Sequence, residues 1–305
     1  MNARVVALLA LCSVPMLAGS PASLARQTPA PQQPVFQAGT DVVTLDVAVR
    51  KDDEPVMGLT MADFEVRDNG VVQTLDYLKT ETYPLDLTMV VDQSRFVRAQ
   101  LDRVKSAIDA TAALMTPEDS IRVIAFNTKI REIFDGRPSD VANAIQSLDY
   151  IGNPSAYDAI AAALIRPKSS ERRAFVVAFT GGQDTSSTVS PPKLMEIAKR
   201  ADLVLDVFFA YDEGAPTAGR ASYEFNQQFH EIRDAARETG GLMDDMLGDD
   251  HVTKALKSAL LDFKSRYLMA YTLHGVPRTG SHEITVTVKK PGSFTILARK
   301  GYIGG

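Results

Sequence analysis

The sequence predicts an α/β protein with a doubly wound, mostly parallel sheet, inserted in or flanked by a smaller β-rich domain. Between residues 84 and 265, apolar strand patterns alternate with helical patterns, which is the arrangement of such sheets. Residues 174–179 (AFVVAF) are apolar throughout, and runs of this kind are typical of a central parallel strand buried on both faces. On either side of this region the apolar residues alternate with a period of two, which indicates further strands.

The amino-terminal residues predict an export signal. A positive charge at Arg4 precedes the apolar run 5–18, and small residues then lead to a cleavage site after Ala25. Pro15 interrupts the run, which is also shorter than the ~20 apolar residues of a membrane-spanning helix. We therefore expect a signal peptide over residues 1–25 and an exported protein, periplasmic or extracellular, with no transmembrane segment after cleavage. Residues 26–40 are poor in apolar side chains and predict a disordered tether.

The composition restricts the class of partner. The net charge is -5, the isoelectric point is near 5.5, and Lys and Arg form no cluster, so the chain lacks the surplus of cations that neutralises phosphates. We expect no nucleic-acid partner. Cys12 is the only cysteine and lies in the predicted signal, so the mature chain depends on its apolar core rather than on disulfides.

Two short β-rich segments flank the α/β region. Residues 41–83 contain alternating strands and a turn at Asp68-Asn69-Gly70, where the Asn-Gly step favours a tight hairpin. Residues 266–305 contain alternating strands again. Because neither segment has enough strands to be stable alone, we expect the two segments to pair into one discontinuous β-domain that carries residues 84–265 as an insertion.

The α/β region divides into strands and helices by its periodicity. The predicted strands span residues 85–92, 121–126, 174–179 and 203–210. Helical spacing predicts helices over residues 97–115, 141–148, 156–164, 191–199, 225–239 and 252–263. The last helix follows Asp249 and Asp250, either of which is a suitable N-cap.

The most informative junction follows the first of these strands. The apolar segment from Leu85 stops at Asp92-Gln93-Ser94 and a helix begins. In an open α/β sheet, ligands bind at the carboxyl ends of central strands, beside helix amino termini. We therefore expect a binding site around Asp92 and Ser94.

Five segments stand out along the mature chain: residues 56–66, Asp92-Gln93-Ser94, residues 152–159, residues 179–186 and residues 299–302. In their order and spacing, they resemble segments of von Willebrand factor A (VWA) domains and of the VWFA-related family of secreted bacterial proteins. The resemblance spans almost all of the mature chain and implies a VWA fold, which is Rossmann-like.

The resemblance also implies a metal site, which this sequence matches only in part. Metal-binding VWA domains supply Asp-x-Ser-x-Ser, then a Thr and then an Asp, and these oxygens hold Mg²⁺ with a position open for a partner's carboxylate. Asp92 and Ser94 match the first motif, but Phe96 replaces its second Ser. Pro154 stands at the Thr position and Gly181 at the Asp position.

Two neighbouring residues offer substitute ligands. Ser155 lies one residue beyond the Thr position, and Asp184 lies three residues beyond the Asp position. Residues Asp92, Ser94, Ser155 and Asp184 thus form a degenerate metal site with low expected occupancy. We expect no cofactor, and binding of Mg²⁺ or Mn²⁺ through a rearranged site is the less favoured alternative.

The buried charge of Asp92 needs a partner in the absence of an ion. Arg95 or Arg98 can supply one, and a simpler alternative is that Asp92 and Ser94 only cap the following helix. The expected partner-binding residues are Asp92, Ser94, Arg95, Phe96, Pro154, Ser155 and Gly181.

No catalytic constellation is evident. The four histidines show no ligand spacing and are expected at surface or helix-face positions, and the sequence has no Gly-x-Ser-x-Gly motif. The acidic stretch 238–250 indicates a solvated loop and a helix cap, with Ca²⁺ binding as an alternative.

We expect a non-enzymatic, exported protein-binding module with a protein or cell-envelope partner. The alternative is a permanent structural component of an envelope assembly.

Overall fold

A computed structural model describes residues 42–52, 54–80, 83–167, 169, 171–209, 219–245 and 251–305, which all fall in one unit of the chain. The expected signal peptide and tether, and the expected caps Asp249 and Asp250, lie outside the described residues. Within the described ranges, no helix combines the length and the apolar character that crossing a bilayer requires.

The strands and helices follow one another in three segments. The first segment contains β1 (Val42–Lys51), β2 (Glu54–Pro55), β3 (Phe64–Asp68), β4 (Val71–Gln73) and β5 (Leu75–Lys79). The second contains β6 (Leu85–Asp92), α1 (Leu101–Ala112), β7 (Ser120–Phe126), β8 (Ile130–Gly136), α2 (Val141–Ile145), α3 (Ala156–Leu164), β9 (Arg173–Thr180), α4 (Pro191–Arg200), β10 (Val204–Phe209), α5 (Gly219–Glu238), β11 (Met243–Asp245) and α6 (His251–Ser265). The third contains β12 (Tyr267–Thr272), β13 (Gly280–Val288), β14 (Thr295–Leu297) and β15 (Gly301–Gly304). Short 3-10 helices span Met61–Asp63, Arg95–Gln100 and Pro138–Asp140.

The second segment forms a six-stranded sheet in the order β11-β10-β9-β6-β7-β8. All neighbours are parallel except β7 and β8, which are antiparallel. From β6 the sheet continues through β7 to β8 on one side. From β9, which lies on the other side of β6, it continues through β10 to β11. The two strands at this reversal pair up to Val91 and Phe179, so their carboxyl ends lie side by side. In open α/β sheets such a reversal opens the crevice where ligands bind.

Helices cover both faces of this sheet. α1, α2 and α6 pack on one face, and α3, α4 and α5 on the other. Alternate side chains of β9 serve the two faces: Val177 belongs to the first core and Val176 to the second. Because both faces are buried, β9 is apolar at nearly every position. Phe175 also stacks on Phe263 of α6, with ring centroids 4.4 Å apart.

The first and third segments pair with each other. β1 runs antiparallel to β12, from Val42 opposite Thr272 to Val47 opposite Tyr267, and β3 runs antiparallel to β13. One sheet has the order β14-β1-β12-β5 with β2 beside β1, and the other has the order β15-β13-β3-β4. Both sheets contribute to a single apolar core. The Asn69-Gly70 step joins β3 and β4 with positive φ at both residues, as the hairpin motif predicts.

The structure differs from the sequence-based assignment at several elements. The edge strands β8 and β11 were not expected, because the apolar residues of β8 (Ile130, Ile133 and Phe134) do not recur with a period of two and β11 has only three residues. The helix after Asp92 begins as a 3-10 helix with a kink at Val97 (φ −120°), and α1 ends at Ala112. Helix α5 begins at Gly219 rather than near residue 225.

Candidate functional site

Asp92 is the last residue of β6 and is almost fully buried, with 2% of its surface exposed. Its Oδ1 accepts a hydrogen bond from the Ser94 amide at 2.7 Å. Its Oδ2 accepts from the Gly181 amide at 3.0 Å and from Thr180 Oγ1 at 3.3 Å. The chain itself therefore supplies three donors to this carboxylate.

The surroundings of Asp92 have opposing effects on its charge. Burial raises the pKa of Asp92 above its ordinary value, and the hydrogen bonds from Gly181 and Ser94 oppose that rise.

The expectation that an arginine neutralises Asp92 is wrong. The Arg95 guanidinium lies over the Phe96 ring at 4.8 Å, and the Arg98 guanidinium lies over the Tyr150 ring at 4.3 Å.

Ser94 caps the 3-10 helix that follows it. Its side-chain oxygen accepts from the Phe96 amide at 3.4 Å, and the residue is fully buried. The same loop is attached to the loop before α3, because the Ile151 amide donates to the Gln93 carbonyl at 2.7 Å. The Arg95 amide also donates to the Gly152 carbonyl, at 3.2 Å. The capping alternative thus describes Ser94 correctly.

Ser155 is buried at the start of α3. Its amide and hydroxyl hydrogens bind the Asn127 carbonyl rather than the Asp92 carboxylate. Its backbone amide donates to the Asn127 carbonyl at 3.0 Å, and its hydroxyl donates to the same oxygen. The preceding Pro154 is buried, and its carbonyl accepts from the Thr185 amide at 3.0 Å. The structure therefore places Ser155 beside the loop after β7.

Asp184 binds the amino terminus of α3. Its Oδ2 accepts from the Tyr157 amide at 2.9 Å and from the Ser187 hydroxyl, and its Oδ1 accepts from the Ser187 amide at 3.1 Å. Its backbone is held by Gln228 of α5 through two hydrogen bonds, of 3.1 and 2.7 Å. A carboxylate in this position stabilises the helix amino terminus.

The four expected metal ligands thus form two hydrogen-bonded groups. Asp92 and Ser94 belong to one group and interact with the end of β9, whereas Ser155 and Asp184 belong to the other and hold the start of α3. Among the described residues, no three His, Cys, Asp or Glu side chains are grouped as a metal site. Thr180 was not expected in the site, and its hydroxyl also accepts from the Gly182 amide at 3.1 Å. A polar residue directly after an apolar central strand was the signal for it.

A second buried polar group involves strands β3, β12, β13 and β15 of the two flanking sheets. Asp68 Oδ1 is 2.6 Å from His282 Nδ1, and Asp68 Oδ2 accepts from the hydroxyls of Tyr271 at 2.8 Å and Tyr302 at 3.0 Å. The expected surface position is wrong for His282, whose side chain is buried. The alternation of β13 explains this, because His282 shares the inward face with Ile284 and Val286. Because the side chains of Asp68 and His282 are fully shielded from solvent, this cluster is part of the buried interior of the two flanking sheets.

The described part of the acidic stretch belongs to a helix and a strand. Glu238 is the last residue of α5, and Asp244 and Asp245 belong to strand β11, which pairs with β10. The expectation of a loop is therefore wrong for these residues, although Asp244 is exposed as expected.

The chain matches no family model and no curated protein. Among solved structures, it is similar to a von Willebrand factor type A protein from Catenulispora acidiphila, with 11% identity, a TM-score of 0.47 and coverage of 88% of this chain and 75% of the other. It is also similar to the conserved hypothetical protein BatB from Bacteroides thetaiotaomicron, with 13% identity, a TM-score of 0.45 and coverage of 59% and 98%. A third similar structure is an aerotolerance-related membrane protein from Bacteroides fragilis, with 15% identity, a TM-score of 0.44 and coverage of 59% and 98%. With its strand order and its reversal between β6 and β9, the α/β part of this chain has a VWA-like fold.

Proposed function

We propose that this chain is an exported, non-enzymatic protein-binding module whose VWA-like part carries a degenerate metal site. The partner binds the loops after β6, β7 and β9. The observation that carries the proposal is that Gly181, at the position of the expected aspartate, contacts Asp92 through its backbone amide alone and offers no carboxylate to an ion. In this interpretation, a doubly wound sheet is inserted in a β-sandwich and presents its loops to the partner.

The loss of metal binding follows from the direction of the hydrogen bonds. Mg²⁺ needs oxygen lone pairs and gives up its waters reluctantly. Around Asp92 the neighbours are N–H and O–H donors that point at the carboxylate, and both oxygens of Asp184 are already acceptors. The residues present therefore do not fit the ion, and binding relies on the protein surface alone.

The exposed residues around the site support a binding role. Ile151 is 66% exposed and Tyr150 is 36% exposed, although both belong to a loop held by backbone hydrogen bonds to Gln93 and Arg95. Apolar side chains presented by loops on a rigid sheet are typical of interaction sites. The export signal in the sequence supports a periplasmic or extracellular partner, either another protein or a component of the cell envelope.

Site-specific photo-crosslinking tests the proposal. A photoreactive residue replaces Asn153, which is exposed beside Ile151, and the control replaces Lys300. Lys300 is also exposed but lies at the opposite end of the sheet, because its amide binds the carbonyl of Glu238 at the end of α5. We expect a discrete crosslinked species in cells from position 153 and none from position 300. Equal or absent crosslinking at both positions contradicts the proposal.

Size-exclusion chromatography of native extracts distinguishes the alternative role. A binding module is recovered both free and in complex, whereas a permanent component of an envelope assembly is never found free. Recovery of the chain only in a large assembly favours the structural role.

A further inference from the structure

The strongest unassigned feature is a largely exposed strip on the proposed binding face, which we call the arginine ridge. It consists of Arg95, Phe96, Arg98, Tyr150 and Ile151, of which Phe96 is half-buried. Each guanidinium lies over an aromatic ring, that of Arg95 over Phe96 and that of Arg98 over Tyr150. Ile151 is adjacent, since its loop is bonded through the backbone to the loop that carries the arginines.

The guanidinium N–H groups of Arg95 and Arg98 are available to donate hydrogen bonds to a partner. Both arginines are exposed, and neither forms an ion pair with a carboxylate in the described part of the chain. A guanidinium stacked on a ring keeps its in-plane N–H groups available, and those groups match a carboxylate in a bidentate geometry. Stacking also fixes the side chain in advance, so less conformational entropy is lost when a ligand binds.

The described loops of this face carry more exposed cations than exposed carboxylates. The loops after β6 and β7 contain Arg95, Arg98 and Lys129 as exposed cations. The exposed carboxylates beside them are Asp149, before α3, and Asp102, in the first turn of α1, whereas Asp184 after β9 is buried against α3. A local excess of cations on a protein whose net charge is -5 favours an acidic ligand.

We infer that the arginine ridge binds an acidic peptide segment of the partner, with partner carboxylates on Arg95 and Arg98 and an apolar partner side chain on Ile151. This inference rests on the proposed function and names the chemistry of its partner. An exposed isoleucine on a loop bonded to the loop that carries the cations favours a peptide over a polyanion, because a peptide segment offers carboxylates and apolar side chains together. The cations are also too few for binding that depends on phosphate charge alone.

A peptide array tests the inference with the full-length mature protein. The probes are twelve-residue peptides of glutamate with one leucine or phenylalanine, a matched set with lysine in place of glutamate, and immobilised heparin as a non-peptide polyanion. We expect binding to the acidic apolar peptides that weakens with salt and is at least about tenfold tighter than to the lysine set. The absence of acidic-peptide binding overturns the inference, and so does capture by heparin without capture by peptides.

Variants assign the binding to the ridge. The double variant Arg95→Glu/Arg98→Glu is expected to weaken acidic-peptide binding about tenfold or more, and Ile151→Ser is expected to weaken it severalfold with the salt dependence kept. Lys300→Glu makes a matched charge reversal at the far end of the sheet and should leave binding unchanged. If the double variant binds within about twofold of the unmodified protein, the inference is wrong. The crosslink at Asn153 then still reports whether this face binds a partner, so the two failures are distinguishable.

Discussion

The backbone amide of Gly181 donates a 3.0 Å hydrogen bond to the carboxylate of Asp92, at the sheet position where the VWA resemblance predicts a second aspartate. An aspartate there brings a second negative charge, which a metal ion then balances. Glycine adds no carboxylate, and its backbone amide, which an aspartate would also supply, is one of three donors to Asp92. Together with Phe96 and Pro154 at two other ligand positions, this loss of a carboxylate supports the proposal of a degenerate metal site.

The hydrogen bonds to Asp92 predict that its charge and both oxygens matter for stability. In Asp92→Asn, one acceptor oxygen becomes an NH₂ group that faces existing donors, so we expect a loss of about 1–3 kcal/mol in the free energy of unfolding. Urea denaturation measures this loss. The control is Asp102→Asn on α1, where the side chain is 97% exposed and the expected change is within about 0.5 kcal/mol. Equal effects of the two variants contradict the role given to Asp92.

The buried cluster around Asp68 predicts strong energetic coupling among the side chains of the two flanking sheets. Asp68→Ala leaves the hydroxyls of Tyr271 and Tyr302 and the ring of His282 without their acceptor, so we expect a loss of about 3 kcal/mol or more. Tyr302→Phe removes one of these hydrogen bonds and is expected to cost about 1 kcal/mol. Denaturation midpoints of both variants test this order. A smaller loss for Asp68→Ala than for Tyr302→Phe shows that the cluster is not a unit.

Asp206 predicts a pH dependence of stability. Burial raises the pKa of Asp206 to about 6, although Arg266 opposes the rise. The carboxyl group of Asp206 loses its proton at lower pH in the unfolded chain than in the folded protein. Its stabilising contribution to the free energy of unfolding is therefore complete below about pH 4 and is lost as pH rises through about 6. Asp206→Asn should therefore gain stability relative to the unmodified protein between about pH 4 and 7, by about 3 kcal/mol. A difference between the two proteins that is constant over this range contradicts the assignment.

The position of Val177 at the centre of the parallel sheet predicts that folding is sensitive to a charged substitution there. This residue is fully buried in β9 between β6 and β10, and a carboxylate placed there has no partner. We expect Val177→Asp to prevent folding, seen as loss of soluble protein. The control is Val72→Asp on β4, where 50% of the residue is exposed and a soluble, cooperatively melting protein is expected. Cooperative melting of Val177→Asp shows that β9 does not depend on this position.

Local patterns in the sequence predict the strands that are buried on both faces and the turns with special backbone angles. The apolar run of β9 and the Asn69-Gly70 hairpin are examples, because each depends on a few neighbouring residues. Edge strands cannot be predicted in this way, because β8 is stabilised by its pairing with β7 and has no apolar alternation of its own.

The candidate site could be located from the sequence, but its internal contacts could not. Asp92 at a strand end marks the place, whereas the use of Asp184 on the amino terminus of α3 depends on how the loop after β9 folds. The burial of His282 likewise depends on the pairing of β13 with β3, which brings Asp68 beside it. Contacts between distant parts of the chain decide these details.

The most direct test of the degenerate metal site is the thermal stability of the full-length mature protein in millimolar Mg²⁺ or Mn²⁺ compared with chelator. A ligand that binds only the folded state raises its melting temperature. We predict no change for the unmodified protein and a metal-dependent rise for the triple variant Gly181→Asp/Phe96→Ser/Pro154→Thr, which restores the oxygen ligands. If the unmodified protein is already stabilised by either ion and Asp92→Ala abolishes that response, the site binds metal and is not degenerate.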